Sequence, residues 1–254
     1  MTELPSGLAP SELSAAVHSF DTSIGVDGPG SRFVLFLSGC PLRCLYCQNP
    51  DTWHMRDGHR MTIDEVMAQL RPYRRFLQVA GGGVTVSGGE PLMQPEFVTE
   101  FFRRCRELGL HTALDTSGAL GDRVDDDLLD VTDLVLLDIK SWDRLLYRTL
   151  TTGRLQPTLD LARRLAARGT RMWIRFVLVP GLTDEPDNID GVADFAATLG
   201  SCVDRVEVLP FHRMGAAKYQ ALGIPFPLAE AEPPTEELLD DVRARFRRHG
   251  LTVR

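Results

Sequence analysis

Cys40, Cys44 and Cys47 stand in the run Gly-Cys-Pro-Leu-Arg-Cys-Leu-Tyr-Cys-Gln-Asn-Pro, directly after an apolar stretch at 33–37. A cubic iron–sulfur cluster has four irons and takes four thiolates when fully ligated. Three cysteines on one tight loop leave one iron without a protein ligand, and an open metal position is where a small molecule binds and reacts. Zinc is the competing use of such thiols, but structural zinc wants four closed ligands, commonly as two separated pairs. Cys105 and Cys202 lie far off in core-like patterns, so His54 or His59 would have to complete that set. A disulfide framework is not expected from 5 cysteines in 254 residues with no signal-peptide pattern. Ferredoxin runs supply four cysteines per cluster and are spaced differently. A reactive cluster with one free iron is the reading these residues favour.

Short β-rich runs alternate with helical patterns, as in repeated βα units around a parallel sheet. Strands are expected at 33–37, 84–87, 111–115, 134–138, 173–179 and 206–209. Thr62-Ile63-Asp64-Glu65 is a capping box opening a helix that runs to about Val79. Further helices are expected at 95–108, 124–130, 157–168, 188–199 and 236–249, with Phe101, Cys105 and Leu108 on one core stripe. About six strands is fewer than the eight of a closed barrel, which predicts an α/β fold, a partial (β/α)6 TIM-like barrel with a lateral opening. Glu90, Asp115, Asp138, Lys140, Arg175 and His212 all fall on or just beyond strand ends. Each alone could be a cap or a salt bridge; together with the cysteine loop they mark the rim where βα barrels carry their sites.

A 43% hydrophobic chain of 254 residues can bury one substantial core. Residues 1–17 mix Pro, Ser, Gly and Ala without periodicity and read as a loose N-terminal extension to one domain at 18–254. No apolar run approaches the roughly 20 residues that span a bilayer. A net charge of −7 argues against nucleic acid as a partner. Thiols meant for iron imply a reducing compartment, so a cytoplasmic location is expected, with monomer the default state.

Several ordered motifs narrow the reading. They are Val26-Asp27-Gly28-Pro29-Gly30, Cys44-Leu45-Tyr46-Cys47, Asp51-Thr52-Trp53, Gly81-Gly82-Gly83-Val84-Thr85 and Ser87-Gly88-Gly89-Glu90. Leu114-Asp115-Thr116, Asp133-Leu134-Val135, Leu137-Asp138-Ile139-Lys140, Trp173-Ile174-Arg175 and Leu209-Pro210-Phe211-His212 continue the set. From about residue 17 onward the chain resembles the pyruvate formate-lyase-activating enzymes, a glycyl-radical-enzyme activating family of the radical S-adenosylmethionine (SAM) superfamily.

The resemblance implies a 4Fe-4S cluster held by Cys40, Cys44 and Cys47, with SAM chelating the fourth iron. An electron from flavodoxin or ferredoxin would cleave SAM to methionine and a 5′-deoxyadenosyl radical. That radical would take a hydrogen atom from a glycine Cα of pyruvate formate-lyase, the protein substrate. The resemblance further implies SAM contacts from Tyr46, Cys47, Gln48, Gly88, Gly89, Glu90, Asp138, Ile139, Lys140 and His212. It also implies a monovalent-cation site at Asp115, Thr116 and Asp138, although two carboxylates could instead simply flank Lys140. Asp27 and Arg175 are candidates for ordering the target peptide. No acid or base catalyst is expected, because hydrogen-atom transfer moves no net charge.

Two features qualify the resemblance. Gln48 stands where many relatives have histidine, keeping hydrogen bonds but losing a titratable ring. The link at 53–61 carries no cysteine, unlike the cluster-bearing insert of several other glycyl radical activators, which points to pyruvate formate-lyase as target. The alternatives are activation of another glycyl radical enzyme, radical modification of a small molecule, or a non-catalytic metal-binding protein.

Overall fold

The structure is a computed structural model and describes residues 13–254. Eight strands form one sheet: β1 (Ser14–Ile24), β2 (Ser31–Leu37), β3 (His59–Thr62), β4 (Gly83–Gly88), β5 (His111–Thr116), β6 (Leu134–Asp138), β7 (Arg171–Leu178) and β8 (Val203–Pro210). Their spatial order is β3-β1-β2-β4-β5-β6-β7-β8. From β2 to β8 each neighbouring pair is parallel, while β1 pairs antiparallel with both β2 and β3. The α/β architecture and the parallel run expected from the sequence are both present, and each expected strand coincides with one of the six.

The two added strands were not legible. In β1 only Ala15 and Val17 are buried, and β3 reads His-Arg-Met-Thr with no fully buried residue. Strands with so few buried residues lack the alternation of large apolar residues that marks a half-buried strand. The expected extension at 1–17 therefore ends too late. Ser14, Ala15, Ala16 and Val17 pair with Thr62, Met61, Arg60 and His59, and 1–12 lies outside the described residues.

The side chains of the strands alternate between two faces. One face, with Phe33, Leu35, Val84, Val86, Leu114, Val135, Leu137, Ile174 and Phe176, joins the main hydrophobic core. The helices cover it. In α3 (Pro95–Glu107), Phe97, Phe101 and Cys105 are buried together, so Cys105 is a core residue as its stripe predicts. The other face holds Ala113, Leu134, Leu136 and Trp173 as a small apolar floor. Two residues further along the same strands it turns polar, with Ser87, Asp115, Asp138, Arg175 and Glu207.

The capping box is real: the Thr62 hydroxyl accepts from Glu65 N while Glu65 accepts from Thr62 N, opening α1 (Ile63–Leu70). The expected helix to Val79 is instead broken at Arg71–Tyr73 and resumes as α2 (Arg74–Val79). Pro72 lacks the N–H that a continuous helix needs. The chain continues with α4 (Asp126–Asp130), α5 (Arg144–Thr151), α6 (Gln156–Arg168), α7 (Pro186–Thr198), α8 (Ala216–Leu222) and α9 (Glu236–Arg248). Of these, α5 and α8 are not among the expected helices, and both are short and touch the cysteine loop.

At the start of the barrel, Arg32 is fully buried without a carboxylate in contact. Its Nε donates to Thr85 Oγ1 at 2.9 Å and its guanidinium also bonds the Val84 carbonyl and His111 Nδ1. Burial draws the arginine pKa down to about 10. His111 is held below its ordinary value by burial and by Arg32, against a smaller pull from Asp133. Below about pH 6.5 the unfolded chain binds a proton that native His111 resists, so stability falls as pH falls. We expect urea midpoints to drop more between pH 7.5 and 5.5 in the wild type than in His111→Gln, which keeps an acceptor for Arg32. The slope should be a fraction of the ~1.4 kcal/mol per pH unit available to one proton, since the ring is partly solvated. Equal drops in the two proteins would remove His111 from the account.

Candidate active site

The cysteine loop is held at both ends by backbone. Gly39 N donates to Thr52 O at 2.7 Å and Cys40 N to Trp53 O at 3.0 Å. Further along, Arg43 N donates to Thr151 O at 2.8 Å and Leu45 N to Leu150 O at 2.9 Å, seating the loop on the end of α5. The Arg43 guanidinium closes the turn by donating to the Cys40 and Leu42 carbonyls. It also lies 4.8 Å over the Trp53 ring. Gly88 ends β4 and Gly89 follows it, and their need for glycine is backbone packing against the end of β2 and the start of this loop. A Cβ on Gly88, at φ +113°, would meet Leu37 O at 2.4 Å, and one on Gly89 would meet Gly39 O at 2.3 Å. Both glycines also line the adjoining cavity.

All three cysteines open onto one cavity of about 280 Å³, near the lower end for small-molecule sites. Tyr46, Gln48, Gly88, Gly89, Asp115, Thr116, Asp138, Lys140, Arg175 and His212 line it too. Three expected residues do not. The Ile139 side chain is fully buried in the main core, and Asp27 stands behind Arg175 at 4.0 Å. Glu90 is buried beneath the wall, where its carboxylate accepts from Leu92 N, Thr116 Oγ1, Ser117 N and Ser117 Oγ. Burial raises the Glu90 pKa, and the Ser117, Thr116 and Leu92 donors oppose that rise. Glu90 thus ties the end of β4 to the end of β5 and holds Thr116 in place. Leu209 and Phe211 of the Leu-Pro-Phe-His motif also line the cavity, as does Val177, which the motifs do not include. Val177 lies two residues beyond Arg175 on β7, and that period-two step was the available signal.

The electrostatics are those of a dry, densely charged floor. Lys140 Nζ lies 2.8 Å from Asp138 Oδ2 and 5.7 Å above the Tyr46 ring. Burial alone would lower the Lys140 pKa, but Asp138, then Cys44 and Tyr46, hold it well above its usual value. Asp115 accepts from Ser87 Oγ at 2.6 Å and faces Arg175 at 3.2 Å. Burial pushes Asp115 up to about 6 despite Arg175, and Asp138 adds to the rise. Glu207, opposite Arg175 in the β7–β8 register, closes the set at 3.2 Å. Burial, and then Glu90, lifts Cys40 to about 12; burial lifts Cys44 to about 11 against the pull of Lys140. Cys47 is raised by burial as well. Burial thus favours the protonated thiols, and a bound metal ion would be the kind of counter-charge that makes them thiolates.

The comparisons with known proteins agree with this geometry. Residues 34–191 match the Radical SAM superfamily model. The pyruvate formate-lyase 1-activating enzyme of Escherichia coli is 41% identical over 239 residues, covering 93% of this chain and 97% of that protein. The chain belongs to the pyruvate formate-lyase-activating enzyme family. The Listeria monocytogenes member is 42% identical over 234 residues, 90% of this chain and 94% of its own length. A solved domain of pyruvate-formate lyase-activating enzyme from Bacteroides vulgatus superposes with TM-score 0.57 at 28% identity, over 68% of this chain and 98% of that one. Streptococcus suis SuiB bound to its precursor peptide SuiA superposes with TM-score 0.65 at 18% identity, covering 87% of this chain and 47% of SuiB. That likeness is one of fold. Radical SAM family membership implies a 4Fe-4S cluster and SAM.

The residues present fit that pair of groups. Three thiols share one wall, and among the described residues no three His, Cys, Asp or Glu side chains converge on a point sized for a single ion. His54 and His59, the ligands a zinc site would have needed, do not line the cavity. The Tyr46 hydroxyl is buried there, with no hydrogen-bond partner among the described residues. Among the described residues no helix is long and apolar enough to cross a membrane.

Proposed function

We propose that this chain activates pyruvate formate-lyase by generating a glycyl radical on it. The observation that carries this reading is a cavity walled by Cys40, Cys44 and Cys47 over the Asp138–Lys140 pair, in a chain 41% identical to an enzyme of that name. Cys40, Cys44 and Cys47 would hold the cluster, leaving one iron to SAM. Bound there, cluster and SAM supply one-electron reductive cleavage, with flavodoxin or ferredoxin as donor.

The protein's own contribution is binding and exclusion. Lys140 offsets the carboxylate charge of SAM, and Tyr46, Gly88, Gly89 and His212 line its pocket. Leu42, Val177, Leu209 and Phe211 form the apolar part of the wall, which keeps water away from the reacting carbon. Asp115, Thr116 and Asp138 offer hard oxygens suited to a monovalent cation beside SAM. Arg175, which lines the cavity, would help order the target peptide, with Asp27 behind it at 4.0 Å. No side chain has to move a proton.

The test is anaerobic reconstitution with iron, sulfide, reductant, SAM and pyruvate formate-lyase, read by electron paramagnetic resonance. A glycyl doublet on the lyase is expected. An intact cluster that cleaves SAM yet gives no doublet would reject this target and leave another glycyl radical enzyme. One zinc per chain, with no iron or sulfide, would reject the chemistry as a whole.

A further inference from the structure

We infer that Gln48 is a positioning residue whose amide clips the cysteine loop to the segment that carries His212. The inference rests on reading the cavity as a SAM site. Gln48 Nε2 donates to the Tyr46 carbonyl at 3.3 Å and to the His212 carbonyl at 2.9 Å. Its Oε1 accepts from Gly215 N at 2.7 Å. Exchanging the two ends of the amide would set an oxygen against two carbonyls and a nitrogen against an N–H. The partners therefore fix its orientation.

The opposite side of the junction is built for this contact. A Cβ on Gly215 would lie 3.0 Å from Gln48 Oε1 and 3.1 Å from Cys47 O, so a side chain there would force the junction to give by a few tenths of an ångström and strain the Gln48 contact. Contacts beyond the clip continue the seam. Lys218 Nζ donates to Asn49 Oδ1 at 2.8 Å, and the Tyr219 and Trp53 rings meet edge-on at 5.9 Å. Helix α8 is thereby fastened to the residues that follow Cys47. With both ends of its amide committed to backbone, Gln48 acts on a ligand by placing His212, not by touching the ligand. A neutral histidine at 48 has one N–H and one acceptor nitrogen, so it could make two of these three bonds. Glutamine makes all three without a proton being gained or lost.

The test compares Gln48→Leu, Gln48→His and Gly215→Ala with the wild type. Trypsin cleavage after the exposed Arg213, followed by mass spectrometry on cluster-free protein, reads the clip with no cofactor present. SAM affinity is then measured on anaerobically reconstituted protein of equal iron content. Gln48→Leu and Gly215→Ala should each speed that cleavage by about tenfold and weaken SAM binding by a similar factor, the size of losing one or two hydrogen bonds. Cleavage at other sites should not change, and Gln48→His should fall between. Unchanged cleavage after Arg213 would overturn the clip. Faster cleavage with unaltered SAM affinity would overturn the link to His212. Weaker SAM binding with unaltered cleavage would mean that Gln48 touches the ligand directly. Should wild-type protein bind no SAM at all, the functional reading fails, and the proteolysis still decides the clip.

Discussion

Cys44→Ala, reconstituted with iron and sulfide in the absence of oxygen, should make no detectable 5′-deoxyadenosine from SAM. Cys44 is the middle of three anchors on a loop whose backbone is pinned to Thr52, Trp53, Leu150 and Thr151. That pinning is independent of the thiol. Removing one sulfur therefore leaves the loop in place but strips one corner from a cluster that already relies on three. Iron content should fall with activity, while the unfolding free energy of the cluster-free protein should drop by only about 1 kcal/mol, the cost of trimming a partly buried side chain packed beside Tyr46 and Leu150. Cys105→Ala is the control. Its sulfur is fully buried in the main core among Phe97, Phe101 and Leu110, so it should cost stability and leave SAM cleavage intact. Persistent 5′-deoxyadenosine from Cys44→Ala would refute the ligand assignment.

The contrast between these two cysteines shows what sequence can disclose. Cys105 sits on a helical stripe and Cys44 on a Gly- and Pro-bounded loop, and that difference of setting predicted core for one and chemistry for the other. The parallel strands were legible for a related reason: each contains a run of β-branched and apolar residues. The strands β1 and β3 were not, because β3 is a short polar edge strand and β1, between β3 and β2, buries only Ala15 and Val17. Helix α5 was hidden by its length, 8 residues, too few to establish a period. Yet its last carbonyls seat the cysteine loop.

Within the site, residue type was easier to read than residue role. Glu90 follows a Gly-Gly pair and looked like a ligand contact; its four donors instead make it a brace under Thr116. Gln48 adjoins Cys47 and looked like part of the pocket wall, which it is. That its amide spans to Gly215, 167 positions away, could not be read from local sequence. Glu207 shows the same limit. It becomes significant only when β7 and β8 pair in register and set it opposite Arg175.

Arg175→Met should be the most destabilising single change in the barrel interior. The Arg175 side chain is 8% exposed, and it faces Asp115 and Glu207 at 3.2 Å and Asp27 at 4.0 Å. Burial would depress its pKa; Asp115, Asp138, Glu207 and Asp27 together raise it. Methionine keeps much of the volume and none of the charge. Glu207 would still pair with Arg205 at 2.7 Å, but Asp115 would keep only the Ser87 hydroxyl. Stranding a buried carboxylate costs about 3–5 kcal/mol, and the lower figure suits Asp115 because it is 14% exposed. The pH dependence follows from its direction of shift. Asp115 already titrates near 6 in the folded protein, against about 3.9 when unfolded. Between those values the native state holds a proton that the unfolded state has lost, so stability declines as pH rises. Without Arg175 the native carboxyl titrates higher still, and the decline continues above pH 6. The deficit relative to wild type should therefore be largest near pH 8 and narrow by pH 5 in urea titrations. A residue that served the target peptide alone would leave those titrations superimposed at every pH.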